Sequence, residues 1–181
     1  MIADISQALA EHVLARTTDI GPTWIEIASL ESGATLTKDR LQICLYAIEE
    51  HAHLRNAPLV QTPGGWERAP LGLRLHYLMH YSGTNHLEAQ SRLTRVIQVF
   101  HSTPVLGPES LPPALANTVD RLAIHLYSPS AEERNNLWSA FGRGLRLSVY
   151  YQVDVALIPP VDQDGDGTVV EHRIEFAELI A

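Results

Sequence analysis

Ile5, Leu9 and Val13 recur at helical spacing and predict an opening helix over Asp4–Arg16. Asp4 is placed to cap it, and Gln7, three residues on, to complete a capping box. Thr23–Leu30 alternates through Ile25 and Ile27 and reads as a strand. Leu41–Ile48 is a short, mostly apolar run rich in branched and aromatic residues, the pattern of a buried strand. Leu71–Tyr81 has period two. Leu71, Leu73, Leu75, Tyr77, Met79 and Tyr81 face one way, against Gly72, Arg74, His76, Leu78 and His80, so a half-covered strand is predicted.

A helix over Leu87–His101 follows, with Asn85 as cap, Glu88 at the capping-box position, and Leu93, Val96, Ile97 and Phe100 as its apolar stripe. Four prolines in Ser102–Pro113 leave little room there for a helix or a central strand. Asp120–Tyr127 reads as a strand. Ser130 and Glu133 then form a capping box for a helix that buries Leu137, Trp138 and Phe141 and stops at Gly142 and Gly144. Leu145–Ile158 is the longest alternating stretch, with Leu145, Leu147, Val149, Tyr151, Val153, Val155 and Leu157 on one face. Thr168–Phe176 follows as a last strand, the two making a C-terminal hairpin at about 145–176. The order α-β-β-β-α-β-α-β-β has too few helices between strands for a parallel sheet. It predicts an α+β fold, one domain over residues 1–181, with a mixed, largely antiparallel sheet and helices packed on one face.

Composition narrows the function. Thirteen basic against 21 acidic residues give a net charge of −8. With no basic cluster to displace counterions, nucleic acid is not expected as a partner. The first dozen residues lack the basic start and apolar centre of a secretory signal, and no apolar run approaches the ~20 residues that span a bilayer. Assembly in the cytoplasm is the expectation, with no membrane partner. The single cysteine, Cys44, lies in an apolar run and reads as a small core residue.

No nucleophile elbow, phosphate loop, dinucleotide fingerprint or zinc-protease motif is present. His76 and His80 would sit about 13 Å apart on a strand at ~3.3 Å per residue, too far to share a metal, and read as solvent-facing polar residues. Asp162, Asp164, Asp166 and Gly167 imitate the start of a calcium loop. Position 12, however, is Arg173 instead of a bidentate glutamate, so a hairpin turn accounts for them better. Catalytic, cofactor and metal sites are therefore expected to be absent.

The segments MIADIS, LQICLYAIEEHAHLRN (41–56), PLGLRLHYLMHYSG (70–83) and LYSPSAEERNNLWSAFGRGLRLSVYYQVDVALI (126–158) resemble, in order, the Pvc16 family. The resemblance implies a cap, or tail terminator, of a contractile injection system. Such a cap is a ring of copies, six in the family picture, at the baseplate-distal end of tube and sheath, where it stops elongation and holds the sheath. It carries no catalytic site over. A tail-completion protein joining a phage tail to a head, and a small enzyme with a scattered site, are the alternatives.

Two surfaces are candidates for contacts with the ring, tube and sheath. The first is the strand Thr168–Phe176, where Val169, Val170, Glu171 and Arg173 lie on a potential sheet edge able to pair with a neighbouring chain. The second is the loop Glu50–Pro70, which holds Arg55, Trp66 and Arg68, residue types enriched at binding hot spots.

Overall fold

The computed structural model describes residues 1–51, 60–62, 65–67 and 72–157, with residues 60–62 and 65–67 described as backbone. Helix α1 (Ile2–Ala15) is followed by strands β1 (Ile25–Ile27), β2 (Leu41–Glu50), β3 (Val60–Thr62), β4 (Gly65–Glu67) and β5 (Gly72–Tyr81). Then come α2 (His86–Ser102), β6 (Val105–Leu106), a 3-10 turn (Pro108–Ser110), the single-turn helix α3 (Pro113–Ala116), β7 (Val119–Tyr127), α4 (Ala131–Ala140) and β8 (Ser148–Leu157). Six strands form one sheet in the order β1-β2-β5-β8-β7-β6. All its pairs are antiparallel except β1 with β2. β3 and β4 form a separate two-stranded hairpin.

The longest alternating stretches of the sequence became the two central strands, because a central strand must satisfy ladder partners on both sides and bury its apolar positions. The long helices α1 and α2 cover one face. Ile5, Leu9 and Val13 of α1 are fully buried, as their spacing predicts. They meet Leu75, Tyr77 and Met79 of β5 and Val153 and Val155 of β8. Each such side chain contributes roughly 1.5–3 kcal/mol on leaving water.

Helix α1 does not start where the sequence suggests. It opens at Ile2, so Asp4 lies inside the first turn and pairs with the terminal ammonium at 2.6 Å, while Gln7 donates to Glu11 at 3.0 Å. A carboxylate inside the first turn is favoured by the helix dipole without capping it.

Helix α2 does start as read: the Asn85 side chain accepts from the Leu87 and Glu88 amides at 3.0 and 3.3 Å. Glu88, expected in a capping box, accepts from Tyr81 Oη (3.0 Å) and Arg92 (2.9 Å). Replacing Asn85 by alanine is expected to cost about 1 kcal/mol, read as a lower urea midpoint with an unchanged slope. On the stripe of α2, Val99 is buried in the place expected for Ile97, which is half-buried.

β5 departs from expectation in a way that matters. Residues Leu75 through Tyr81 are buried on both faces. The short helix α4, capped by the Ser130–Glu133 box, lies against the second face. Its Trp138 packs with Leu30, Cys44, Leu78 and Tyr150, and its indole N–H donates to Tyr150 Oη at 3.1 Å. Consequently His76 and His80 do not face solvent; they are 7 % and 5 % exposed. His80 bonds the Leu147 carbonyl through Nδ1 at 2.9 Å and sets its ring edge-on to Trp138. Helix α4 ends at Gly142, whose φ of +67° suits glycine. Arg143 then fastens the turn to the carbonyls of Leu30, Glu31 and Ala34 at 2.7–2.9 Å. The stretch 145–147, expected as the start of the last long strand, lies outside β8. Leu145 and Leu147 are 58 % and 41 % exposed.

A candidate interface on the second sheet face and the sheet edges

The outer strands are short. β1 pairs only with Leu41–Ile43 of the ten-residue β2, and β6 only with Leu122–Ala123 of the nine-residue β7. Among the described residues, no strand pairs with the outer side of Cys44–Ile48 or of His125–Tyr127. Ladder groups that no described strand pairs are places where another chain adds a strand. Ile48 on β2, Leu126 on β7 and Val105 on β6 are 51–56 % exposed.

The second face is divided. Helix α4 covers one end; the other end is polar. Arg74 and Asp154 stand opposite each other in the β5–β8 register and form a two-point pair, Nε to Oδ1 at 2.7 Å and Nη2 to Oδ2 at 3.2 Å. His51 and His125 approach Asp154 Oδ2 at 3.5 and 3.6 Å. Burial alone would raise the Asp154 pKa, but the Arg74 hydrogen bonds and charge, with the two histidines, hold it below the usual carboxylate range. The same pair raises the Arg74 pKa.

Between the covered and polar ends lies a cavity of about 390 Å³. Tyr46, Glu49 and His76 line it from the sheet, Tyr127 and Pro129 from the end of β7, and Glu133, Asn136 and Leu137 from α4. Tyr46 reaches it because β2 carries a register shift between Leu45 and Ala47. Burial, then Tyr127, Tyr150, Glu133 and Glu49, push the Tyr46 pKa up to about 12. The ring of His76 stands between the two tyrosines, 5.7 Å from Tyr46 and 6.3 Å from Tyr127 between centroids.

Of the residues singled out in the sequence, Trp66 lies on β4 opposite Gln61. Arg55, Arg68, Val169, Val170, Glu171 and Arg173 lie outside the described residues, as do Thr168–Phe176 and the Asp162–Gly167 turn. Cys44 is buried, and burial raises its pKa. Among the described residues no three His, Cys, Asp or Glu side chains could hold a metal ion, and no helix is long and apolar enough to cross a membrane. Sequence reading missed the Tyr46–Tyr127–His76 cavity. Its one signal was the loss of strict alternation in LQICLYAI, which marks the irregular register that turns Tyr46 inward.

The fold is that of the terminators of phage-tail-like particles. One similar solved structure is the sheath/tube terminator of an extracellular contractile injection system, PVC, in its extended state. It is 19 % identical, with a TM-score of 0.64, and the match covers 100 % of this chain and 65 % of that one. Another is the tube-terminating cap of the anti-feeding prophage, at 17 % identity and a TM-score of 0.57, covering 98 % of this chain and 62 % of that one. The chain thus spans just under two thirds of the length of each. Among curated proteins nothing matches. Residues 4–172 match the Pvc16 N-terminal domain, and the chain belongs to that family.

Proposed function

We propose that this chain is a non-enzymatic structural cap, the tail terminator of a phage-tail-like contractile injection system. Its partners are copies of itself in a closed ring, six by analogy with the family, and the last tube and sheath subunits. The observation that carries the reading is the family match over residues 4–172, joined to a fold shared along the whole chain with a sheath/tube terminator. The architecture suits the role. A terminator must bind a repeating cylinder on one side and offer nothing further to bind on the other. Long strands with short edge partners supply backbone groups that the last sheath subunits can pair with, and a head-to-tail contact between copies closes when its rotation divides a full turn. Assembly takes place in the cytoplasm, where the particle is built.

Deleting the gene from a particle-producing cell tests this. Tubes and sheaths of uneven length, with sheaths lost from the baseplate-distal end, are expected. Particles of normal, uniform length with intact sheaths would overturn the proposal.

A further inference from the structure

The cavity between α4 and the sheet has the chemistry of a socket for a cation. Its walls combine two tyrosine rings, Tyr46 and Tyr127, with two carboxylates, Glu49 and Glu133. Negative charge and aromatic faces together attract a guanidinium. Glu133 is held in place by the Ser130 amide at 2.6 Å and by Tyr127 Oη at 3.3 Å. His76 supplies the observation that points to a ligand. It is 7 % exposed, it lines the cavity, and its Nε2 has no hydrogen-bond partner; Glu49 Oε2 is 3.2 Å away but outside hydrogen-bond geometry. A buried ring nitrogen left without a formed hydrogen bond costs free energy unless something completes the site.

The chain also presents a matching cation. Arg146 is exposed and makes no ion pair among the described residues. It lies between the exposed Leu145 and Leu147, in the turn that Arg143 fastens to the 30–34 loop. Arg16, Arg40, Arg74, Arg92, Arg95 and Arg143 are occupied by partners within the chain; Arg121 and Arg134 are exposed like Arg146, but neither has an exposed leucine on each side. Arg146 is the arginine that comes with an apolar collar, and exposed leucines flanking an arginine are the composition of an interface anchor. The socket lies at the Tyr127–Glu133 end of α4, and the turn follows the other end. The contact is therefore between two different patches, the kind that builds rings.

We propose that the Leu145–Arg146–Leu147 turn of one copy seats in the Tyr46–Glu49–His76–Tyr127–Glu133 socket of the next, with the Arg146 guanidinium between the tyrosine rings and the carboxylates. The proposal rests on the ring reading above and assigns the surface that closes the ring.

The test is a charge exchange in assembled particles. Arg146→Glu and Glu49→Arg are each expected to reduce the fraction of particles bearing a ring about tenfold, and the double exchange to restore it. Loss in Glu49→Arg without loss in Arg146→Glu would overturn the assignment, because the cation would then come from another protein. Since Glu49 also faces His76, a second variant keeps the test independent of folding. Ala47→Cys with Leu145→Cys, oxidised in the particle, is expected to give a ladder of cross-linked copies that neither single variant gives. Rings visible at particle ends without that ladder would sink the socket and leave the ring standing; no ring in the wild type would sink the ring itself.

Discussion

Replacing Trp138 by alanine is expected to destabilise the protein by about 3–5 kcal/mol, the range for deleting a large buried aromatic. Trp138 is 1 % exposed and is the one fully buried side chain of α4. Without it the helix keeps its cap but loses its anchor, Tyr150 Oη loses the indole donor, and the edge contact with His80 disappears. For a domain of this size the loss corresponds to a fall in Tm of about 6–20 °C. Trp138→Phe separates the two components. It keeps an aromatic ring and drops the N–H, so the part of its cost assigned to the Tyr150 bond is about 1 kcal/mol. Urea unfolding of both variants measures this. A loss under 1 kcal/mol for the alanine variant would mean that α4 is not docked on the second sheet face. The cavity wall and the Leu145–Leu147 turn would then have no fixed frame.

The second large effect is acid sensitivity centred on His12. This residue is 7 % exposed, stacked on Phe100 of α2, and accepts from Arg16 through Nδ1 at 3.0 Å. Burial first, and the Arg16 charge second, lower its pKa from 6.5 to about 4. In the unfolded chain it titrates near 6.5, so between pH 6.5 and 4 the unfolded state holds more protons. Stability is therefore complete above pH 6.5, falls as the pH drops, and levels off near 4. The contribution is of order 3 kcal/mol. His80, lowered by burial first, adds with the same sign; Asp154, a depressed carboxylate, adds only below the ordinary aspartate range. His12→Phe keeps an aromatic ring beside Phe100 and removes the titration. Its stability relative to wild type is expected to improve by about 2–3 kcal/mol between pH 7.5 and 4.5, with a residual acid slope from His80. Equal wild-type and variant slopes in urea midpoints across that range would contradict this account.

The sequence made the central sheet legible because β5 and β8 alternate over many residues and α1 repeats Ile5, Leu9 and Val13 at helical spacing. Three facts stayed hidden for physical reasons. Alternation records which residues share a face but not what covers it. His76 and His80 therefore looked solvent-facing until α4, whose own apolar stripe is weak, set Trp138 against His80 and closed the cavity that His76 shares with Tyr46 and Tyr127. The leucines of 145–147 continue the period of β8 without its ladder, so the pattern ran on into a turn that Arg143 pins elsewhere. The cavity depends on the irregular register at Tyr46 and on residues from β2, β5, β7 and α4, a juxtaposition that no local spacing encodes. Fold class, by contrast, depended only on counting helices between strands.

Imaging of intact particles carrying a compact electron-dense tag on this chain tests the central claim most directly. Density from the tag at one end only, opposite the baseplate and seated on tube and sheath, is the expected result. Tag density along the sheath, at the baseplate, or on no particle at all would contradict the account.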